Sequence, residues 1–140
     1  MFLLDTNVVS EARKGQRADL GVLAFRRQIL HQEDYLPVQV VGELRRGVEN
    51  LRVRGDHRQA TLVEKWLEAL MLQYHERILP FDIEAAQIWG KLLARSNQNQ
   101  IDKQLAAIAL LYDLTLVTRN TRHFMGTGVR LLNPFRGATA

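Results

Sequence analysis

Residues 2–7 read FLLDTN. The apolar run at 2–4 is too short for a helix and is typical of a strand that is buried on both faces. Asp5 and Thr6 are residue types favoured at helix starts, so a helix is predicted from here to about Ala12, with Gly15 at its end. A buried strand that runs directly into a helix is the first half of a β-α-β unit, which predicts a parallel sheet.

The rest of the chain continues this alternation. Short apolar runs predict further strands at 35–38, 78–81, 114–117 and 129–132. Apolar residues at three- and four-residue steps predict helices at 20–30, 40–51, 62–74, 82–93 and 102–112, and polar stretches predict loops at 51–58 and 96–100. The expected fold class is α/β, with a central parallel sheet of four or five short strands flanked by helices. Since 140 residues contain no repeat or linker, we expect one domain over residues 1–140.

Composition narrows the class of protein. The chain has no cysteine, which excludes disulfides and cysteine-ligated metal sites. Its apolar runs are too short for a signal peptide's core or a membrane span, so we expect a soluble cytoplasmic protein. The net charge of +4 would attract polyanions such as nucleic acid, although arginine clusters are also common on ordinary soluble surfaces.

Most familiar catalytic motifs are missing from the sequence. The two serines, Ser10 and Ser96, do not lie in a nucleophile elbow, and no phosphate-binding glycine loop is present. The four histidines are scattered, without the helical spacing that a zinc site requires. Carboxylates are therefore the expected carriers of chemistry.

Three acids hold positions that ordinary packing does not require. Asp5 follows the first strand, at the edge of the sheet where open α/β folds bind ligands. Glu43 interrupts the apolar face of its helix, and Asp102 opens the helix before the clearest strand. Carboxylate oxygens are the ligands that Mg²⁺ and Mn²⁺ prefer, so a cluster of the three would suit metal-assisted phosphodiester hydrolysis.

Each acid also has an ordinary explanation. Asp5 and Asp102 are well placed to cap helices, and Glu43 could be a solvated helix residue. It is the joint placement of the three along the predicted β-α units that favours a shared site.

Four segments, in order along the chain, resemble the PIN-domain ribonucleases, and most of all the VapC/FitB-like toxins of bacterial toxin–antitoxin pairs. These segments are Leu3-Leu4-Asp5-Thr6-Asn7, Gly42-Glu43-Leu44, Asp102 with Leu105-Ala106-Ala107-Ile108-Ala109, and Leu116-Val117-Thr118-Arg119-Asn120 with Phe124.

The resemblance implies a specific site and specific partners. It implies that Asp5, Glu43 and Asp102 are the catalytic acids and hold Mg²⁺ or Mn²⁺. It implies supporting hydrogen bonds from polar side chains at the strand ends, namely Thr6, Asn7, Thr118 and Asn120. It further implies an RNA substrate, a homodimer, and a cognate antitoxin that blocks the pocket and binds DNA.

The chain departs from the family pattern at one place. Many relatives carry a fourth acid at the position of Asn120 or of His123, and neither residue is acidic here. We therefore expect one firmly bound metal, with a second recruited by the substrate phosphate.

Arginines close in sequence to these segments are candidate contacts for RNA phosphates, namely Arg45, Arg46, Arg119 and Arg122. Three hypotheses stay open from the sequence: a PIN-type ribonuclease toxin, a PIN-like nucleic-acid-binding module with weak activity, and an α/β small-molecule-binding domain in which the acids are only caps.

Overall fold

The structure, a computed structural model, describes residues 1–29 and 33–136. Five short parallel strands form one sheet in the order β3-β2-β1-β4-β5. The strands are β1 (Phe2–Leu4), β2 (Asp34–Pro37), β3 (Ile78–Leu79), β4 (Thr115–Val117) and β5 (Leu131–Leu132). The predicted α/β fold with a parallel sheet is confirmed, while the extent of the domain, residues 1–140, stays a prediction.

Within the described residues, six helices flank the sheet. They are α1 (Thr6–Ala12), α2 (Leu20–Gln28), α3 (Val38–Val53), α4 (His57–Gln73), α5 (Ile83–Arg95) and α6 (Gln100–Leu111). Short 3₁₀ turns lie at Gly15–Arg17, His75–Arg77 and Thr121–Phe124. The end predicted for α2 at Leu30 falls outside the described residues. No helix in the described ranges is long and apolar enough to cross a membrane.

The central strand β1 divides the core into two. Leu3 and Leu4 are both fully buried, and successive strand residues point to opposite faces of the sheet. Leu4 belongs to a cluster with residues of α1 to α4, such as Val40. Leu3 belongs to a second cluster with residues of α5 and α6, such as Leu105. The sheet is therefore covered by helices on both faces, as parallel sheets require.

The strand order reverses direction beside β1. The chain passes from β1 outward to β2 and β3, and then returns to the other side of β1 for β4. Open α/β sheets bind ligands at such a switch point, in the crevice at the carboxyl ends of the strands. The topology therefore places the candidate site at the ends of β1 and β4.

One predicted loop is wrong. Instead of a loop over 51–58, α3 continues to Val53 and α4 begins at His57. The reversal takes only three residues, with Gly55 at a φ of +85° and the Asp56 side chain capping α4. Of the polar residues that suggested a loop, Arg54 and Asp56 form the turn itself, whereas Arg52, His57 and Arg58 lie on the two helices. There Arg52 binds Glu64 of the facing helix and, together with Arg45, lowers the pKa of Glu64 to about 2.

A buried polar cluster lies at the start of β2, at the amino ends of the strands and away from the candidate site. Asp34, at the start of β2, accepts a hydrogen bond from the hydroxyl of Tyr74. It also pairs with Arg77 at 2.9 Å, and both side chains of this ion pair are largely buried. The Arg77 guanidinium lies 4.4 Å from the centre of the Tyr74 ring. Burial and the Asp34 hydrogen bond raise the pKa of Tyr74 to about 12, so the hydroxyl keeps its proton at neutral pH.

Replacing Arg77 tests how far this cluster supports the fold. Arg77→Met would leave the Asp34 carboxylate buried without its counter-ion, and should lower the free energy of unfolding by about 3 kcal/mol or more. Arg130→Met is the matched control, because its partner Asp113 is exposed and such pairs contribute less than about 1 kcal/mol. Urea denaturation at pH 7 measures both variants, and equal losses would contradict the assignment.

Candidate active site

The ends of β1 and β4 bring two distant residues together. Leu4 pairs with Val117 in the sheet, so Asp5 and Thr118, which follow them, are neighbours. Asp5 is only 5% exposed and Thr118 is fully buried. The Thr118 hydroxyl donates to Oδ2 of Asp5 at 2.8 Å. The hydroxyl also accepts hydrogen bonds from the Asn7 side-chain amide and from the Asn120 backbone, which uses all of its hydrogen-bonding capacity.

Asp5 is both a helix cap and part of this cluster. Its Oδ1 accepts the backbone N–H of Thr6 at 2.7 Å, which caps α1 as the sequence predicts. Asn7 spans the pocket wall, because its amide nitrogen lies 3.4 Å from Oδ2 of Asp5 and its oxygen accepts the backbone N–H of Arg119. The cap and the buried carboxylate are therefore two properties of one residue.

Glu43 reaches the pocket from α3. Its Oε1 accepts a 3.0 Å hydrogen bond from the Thr6 hydroxyl. Thr6 therefore contacts two of the three acids, Asp5 through its backbone N–H and Glu43 through its hydroxyl. The pKa of Glu43 is raised, first by partial desolvation of the carboxyl and then by the negative charges of Asp5 and Asp102.

Asp102 lies in the first turn of α6 and is not its cap. The N-cap position is Asn99, which has a left-handed backbone with a φ of +52°. The prediction that Asp102 opens the helix is therefore wrong by two residues, since α6 begins at Gln100, and the Asp102 carboxylate is free for another role. Its charge raises the pKa of both Asp5 and Glu43, which shows that the three carboxylates lie within electrostatic range of one another.

His123 contacts this third acid. Its Nδ1 lies 2.8 Å from Oδ2 of Asp102, and it belongs to the 3₁₀ turn that follows β4. From the sequence, His123 was only a position without the expected acid, and this contact was not predicted. The only sequence signal for it was the position of the residue in the loop between Thr118 and Phe124.

The causes of the raised pKa of Asp5 show that nearby cations do little to offset the charge of the pocket. Burial is the main cause of the raised pKa of Asp5, which the hydrogen bonds from Thr118 and Thr6 partly oppose. Asp102 raises this pKa further, and His123 lowers it only as the smallest contribution. Asp5 and Glu43 are thus held by neutral hydroxyl and amide donors, and among the described residues the nearby cations, His123 and Arg46, offset their repulsion only as the smallest contributions.

A divalent cation fits the chemistry of these donors. Three carboxylates supply the oxygen ligands that Mg²⁺ and Mn²⁺ prefer. As they stand, no group of three or more acidic or histidine side chains within 1–29 and 33–136 is arranged to hold an ion. One oxygen of Glu43 and one of Asp102 accept no hydrogen bond from the described residues, so both oxygens are available as ligands.

Two grooves meet at Glu43. A cavity of about 330 Å³ lies between α1, α3 and α4, with Thr6, Glu43 and Trp66 among its walls. A second cavity of about 290 Å³ lies between α3 and the start of α6, and its walls include Glu43, Arg46 and Ile101. Both open beside the acidic pocket.

The four predicted arginines differ in whether they already have a partner within the chain. Arg46 lines the second groove and Arg122 is exposed on the 3₁₀ turn after β4; neither makes an ion pair with another residue in the described part of the chain. Arg45 instead pairs with Glu49 at 3.3 Å and with Glu64 of α4.

Arg119, like Arg45, has a partner within the chain. Its guanidinium stacks 4.5 Å from the centre of the Phe135 ring. Arg45 and Arg119 therefore already have partners within the chain.

The raised pKa values also set how stability depends on pH. Because Asp5 and Glu43 hold protons more tightly in the folded chain, metal-free stability falls as pH rises from their ordinary values, 3.8 and 4.5, through the raised ones. Asp102→Asn should lower both pKa values and reduce this loss, because it removes a neighbouring negative charge. Carbon-13 NMR titration of the carboxyl groups measures the change. Asp113→Asn, at an exposed aspartate, is the control, and unchanged values in Asp102→Asn would contradict the clustering.

Known proteins with similar sequences match this chain over its length. A family model of the PIN domain matches residues 2–125. Toxin FitB of Neisseria gonorrhoeae is 34% identical, over 96% of this chain and 99% of that protein. VapC ribonuclease Y4jK of Sinorhizobium fredii is 31% identical, over 99% of this chain and 100% of that protein.

Solved structures give the same result. The crystal structure of FitAcB from Neisseria gonorrhoeae has a TM-score of 0.85 at 31% identity, over 96% of this chain and 98% of that chain. The structure of FitAB bound to an IR36 DNA fragment has a TM-score of 0.84 at 29% identity, over 97% and 96%. The resemblance seen in the four sequence segments is thereby confirmed, and the chain belongs to the PIN-domain family, with FitB and VapC proteins among its relatives.

Proposed function

We propose that this protein is a metal-dependent endoribonuclease that hydrolyses RNA phosphodiester bonds and acts as the toxin of a toxin–antitoxin pair. The observation that carries the proposal is the approach of Asp5, Glu43 and Asp102 at the switch point between β1 and β4. The names of the relatives, a toxin and a ribonuclease, support the same activity.

The three carboxylates would hold Mg²⁺ or Mn²⁺. When bound, the ion would polarise the phosphoryl oxygen of the RNA and lower the pKa of the attacking water. The described contacts give the neighbouring residues positioning roles. Thr118 fixes Oδ2 of Asp5, and Thr6 fixes Oε1 of Glu43.

The loop after β4 completes the arrangement. Asn7 ties this loop to Asp5 through the Arg119 backbone, and Asn120 ties it to Thr118. His123 holds Oδ2 of Asp102, which leaves the other oxygen free. Because neither Asn120 nor His123 adds a negative charge, we propose one firmly bound ion, with a second recruited by the substrate phosphate.

The partners follow from the same proposal. We expect a cognate antitoxin that covers the acidic pocket and binds DNA, a homodimer, and a cytoplasmic location. The similarity to FitAB bound to a DNA fragment supports the antitoxin, and the grooves beside Glu43 offer surface for a protein segment.

A second candidate is a PIN-like module that binds nucleic acid but cuts weakly. The observation in its favour is that neither Asn120 nor His123, the two positions at which the family resemblance implies a fourth acid, is acidic, and that His123 lies beside Asp102. The small-molecule-binding alternative is less well supported, because it treats Asp102 as a cap and Asn99 holds that position.

Cleavage of RNA distinguishes the first two candidates. With Mg²⁺ or Mn²⁺, the protein should cut structured RNA, and Asp5→Ala and Asp102→Asn should each lower kcat/KM by more than about a hundredfold. Replacing even the outer partners of a metal ligand costs roughly 10- to 100-fold. Asp113→Asn is the control, because Asp113 is exposed in the turn before β4 and its one ion pair within residues 1–29 and 33–136 is with Arg130. Undiminished cleavage in both pocket variants would rule out the assignment.

Metal binding tests the pocket independently of cleavage. Mn²⁺ at about a hundred times its Kd should stabilise the wild-type protein by roughly 2.7 kcal/mol, and Asp5→Asn should abolish the gain. Isothermal titration and thermal melting measure the two effects. A protein that neither binds Mn²⁺ nor is stabilised by it would favour the small-molecule alternative.

The arginines should differ in their effect on RNA binding. We retain Arg46 and Arg122 as phosphate contacts, and each neutralisation to Gln should reduce the salt slope of single-stranded RNA binding by about 0.7. Arg45→Gln should change the slope less, because Glu49 and Glu64 already neutralise Arg45. Binding is measured over a KCl series in the Asp5→Asn background. Equal salt slopes in all variants would contradict a phosphate-binding role for Arg46 and Arg122.

A further inference from the structure

Lys103 is a buried cation that the proposed mechanism does not use. It is 6% exposed, and its ammonium donates one hydrogen bond, to the backbone carbonyl of Gln98. It forms no ion pair with any residue in the two described ranges. An ammonium has three donors, and lysine is rarely buried without an opposite charge, because desolvating the ion is costly. The structure therefore leaves this charge uncompensated.

Lys103 faces a cavity of about 290 Å³. The cavity lies between the end of α5, the first turn of α6 and the segment after the last 3₁₀ turn. Its walls are Leu92, Arg95, Ser96, Lys103, Met125, Gly126 and Thr127. Of the described residues, two cations and no carboxylate line this space, so its electrostatic potential favours an anion.

Three groups around the cavity can donate hydrogen bonds. Lys103 has two ammonium hydrogens left after its bond to Gln98, and Arg95 is exposed without an ion pair in the described structure. The Ser96 oxygen accepts the Gln98 backbone N–H, which leaves its own hydrogen to donate. Thr127 adds no donor, because its hydroxyl already donates to Phe124. Donors that converge from α5 and α6 suit a tetrahedral oxyanion.

The cavity adjoins the acidic pocket without sharing its ligands. Asp102 and Lys103 are consecutive in the first turn of α6, and consecutive helix residues point about 100° apart. Asp102 is directed to His123, whereas Lys103 is directed to the Ser96–Gln98 loop. A chain of phosphates lying across this end of the molecule could therefore meet both sites.

We propose that this cavity is a phosphate-binding site formed by Lys103, Arg95 and Ser96. The phosphate belongs either to the RNA backbone beside the bond that is cut or to a free phosphate-bearing ligand, and Leu92 and Met125 give apolar contact to the attached sugar or base. That the phosphate comes from the RNA backbone rests on the proposed ribonuclease function. The binding of a phosphate group does not.

The test uses the full chain and two probes, inorganic phosphate and a 2′-O-methyl RNA oligonucleotide that cannot be cut. Lys103→Met removes the charge and keeps most of the side-chain length, and it should weaken phosphate binding about tenfold or more. Arg95→Gln is the second variant, because an exposed residue can be replaced without loss of the fold. Lys91→Met, at an exposed lysine of the same helix as Arg95, is the control and should bind phosphate as the wild type does.

The two probes separate the sources of the phosphate. If the RNA salt slope also falls by about 0.7 in Lys103→Met and Arg95→Gln, the site holds a backbone phosphate. If only inorganic phosphate binding weakens, the site holds a free phosphate-bearing ligand. If neither probe distinguishes these variants from Lys91→Met, the inference is overturned. Failure of the ribonuclease proposal would appear separately, as RNA cleavage that is unaffected by Asp5→Ala.

Discussion

The parallel pairing of β1 with β4 is the constraint on which the rest of this molecule depends. It joins residues 113 positions apart in the chain and places the Thr118 hydroxyl on the buried carboxylate of Asp5. The pairing is possible because Leu3 and Leu4 each anchor a separate core, one on each face of the sheet. Helices then cover both faces and leave the carboxyl ends of the strands open.

The acidic pocket brings together carboxylates that repel one another. Asp102 raises the pKa of Asp5 and of Glu43, and Asp5 also raises that of Glu43. The groups that hold Asp5 and Glu43 are hydroxyls and amides of Thr6, Asn7 and Thr118. Arginines at these positions would have offset the repulsion and filled the space. The neutral donors fix the oxygens in place and leave their charge uncompensated, which is the condition that a divalent cation satisfies. The buried carboxylate of Asp34, in contrast, has a counter-ion within the chain, the guanidinium of Arg77.

The sequence predicted those features that depend on local chemistry. The strand at 2–4, the cap at Asp5 and the break in apolar periodicity at Glu43 can all be read from neighbouring residues. The length of α3 could not, because Arg52 near its end pairs with Glu64 on the next helix as well as with Glu49 of its own. The start of α6 was predicted at Asp102 because aspartate is favoured at helix starts, whereas the N-cap position is held by Asn99, three residues earlier, in a left-handed conformation. The contact between His123 and Asp102 depends on the tertiary fold, and no local pattern indicates it.

The double role of Asp5 affects how the chain can lose its activity by mutation. Its carboxylate holds the start of α1 and also faces the pocket, so most replacements damage folding and chemistry together. Glu43 has no capping role and lies on an exposed part of its helix. In a collection of inactive variants, those that remain abundant and folded should therefore accumulate at position 43. Among replacements at position 5, only those that can still cap a helix, such as asparagine and serine, should persist. Tolerance at position 43 would report on the chemistry alone, whereas tolerance at position 5 would report on chemistry and folding together.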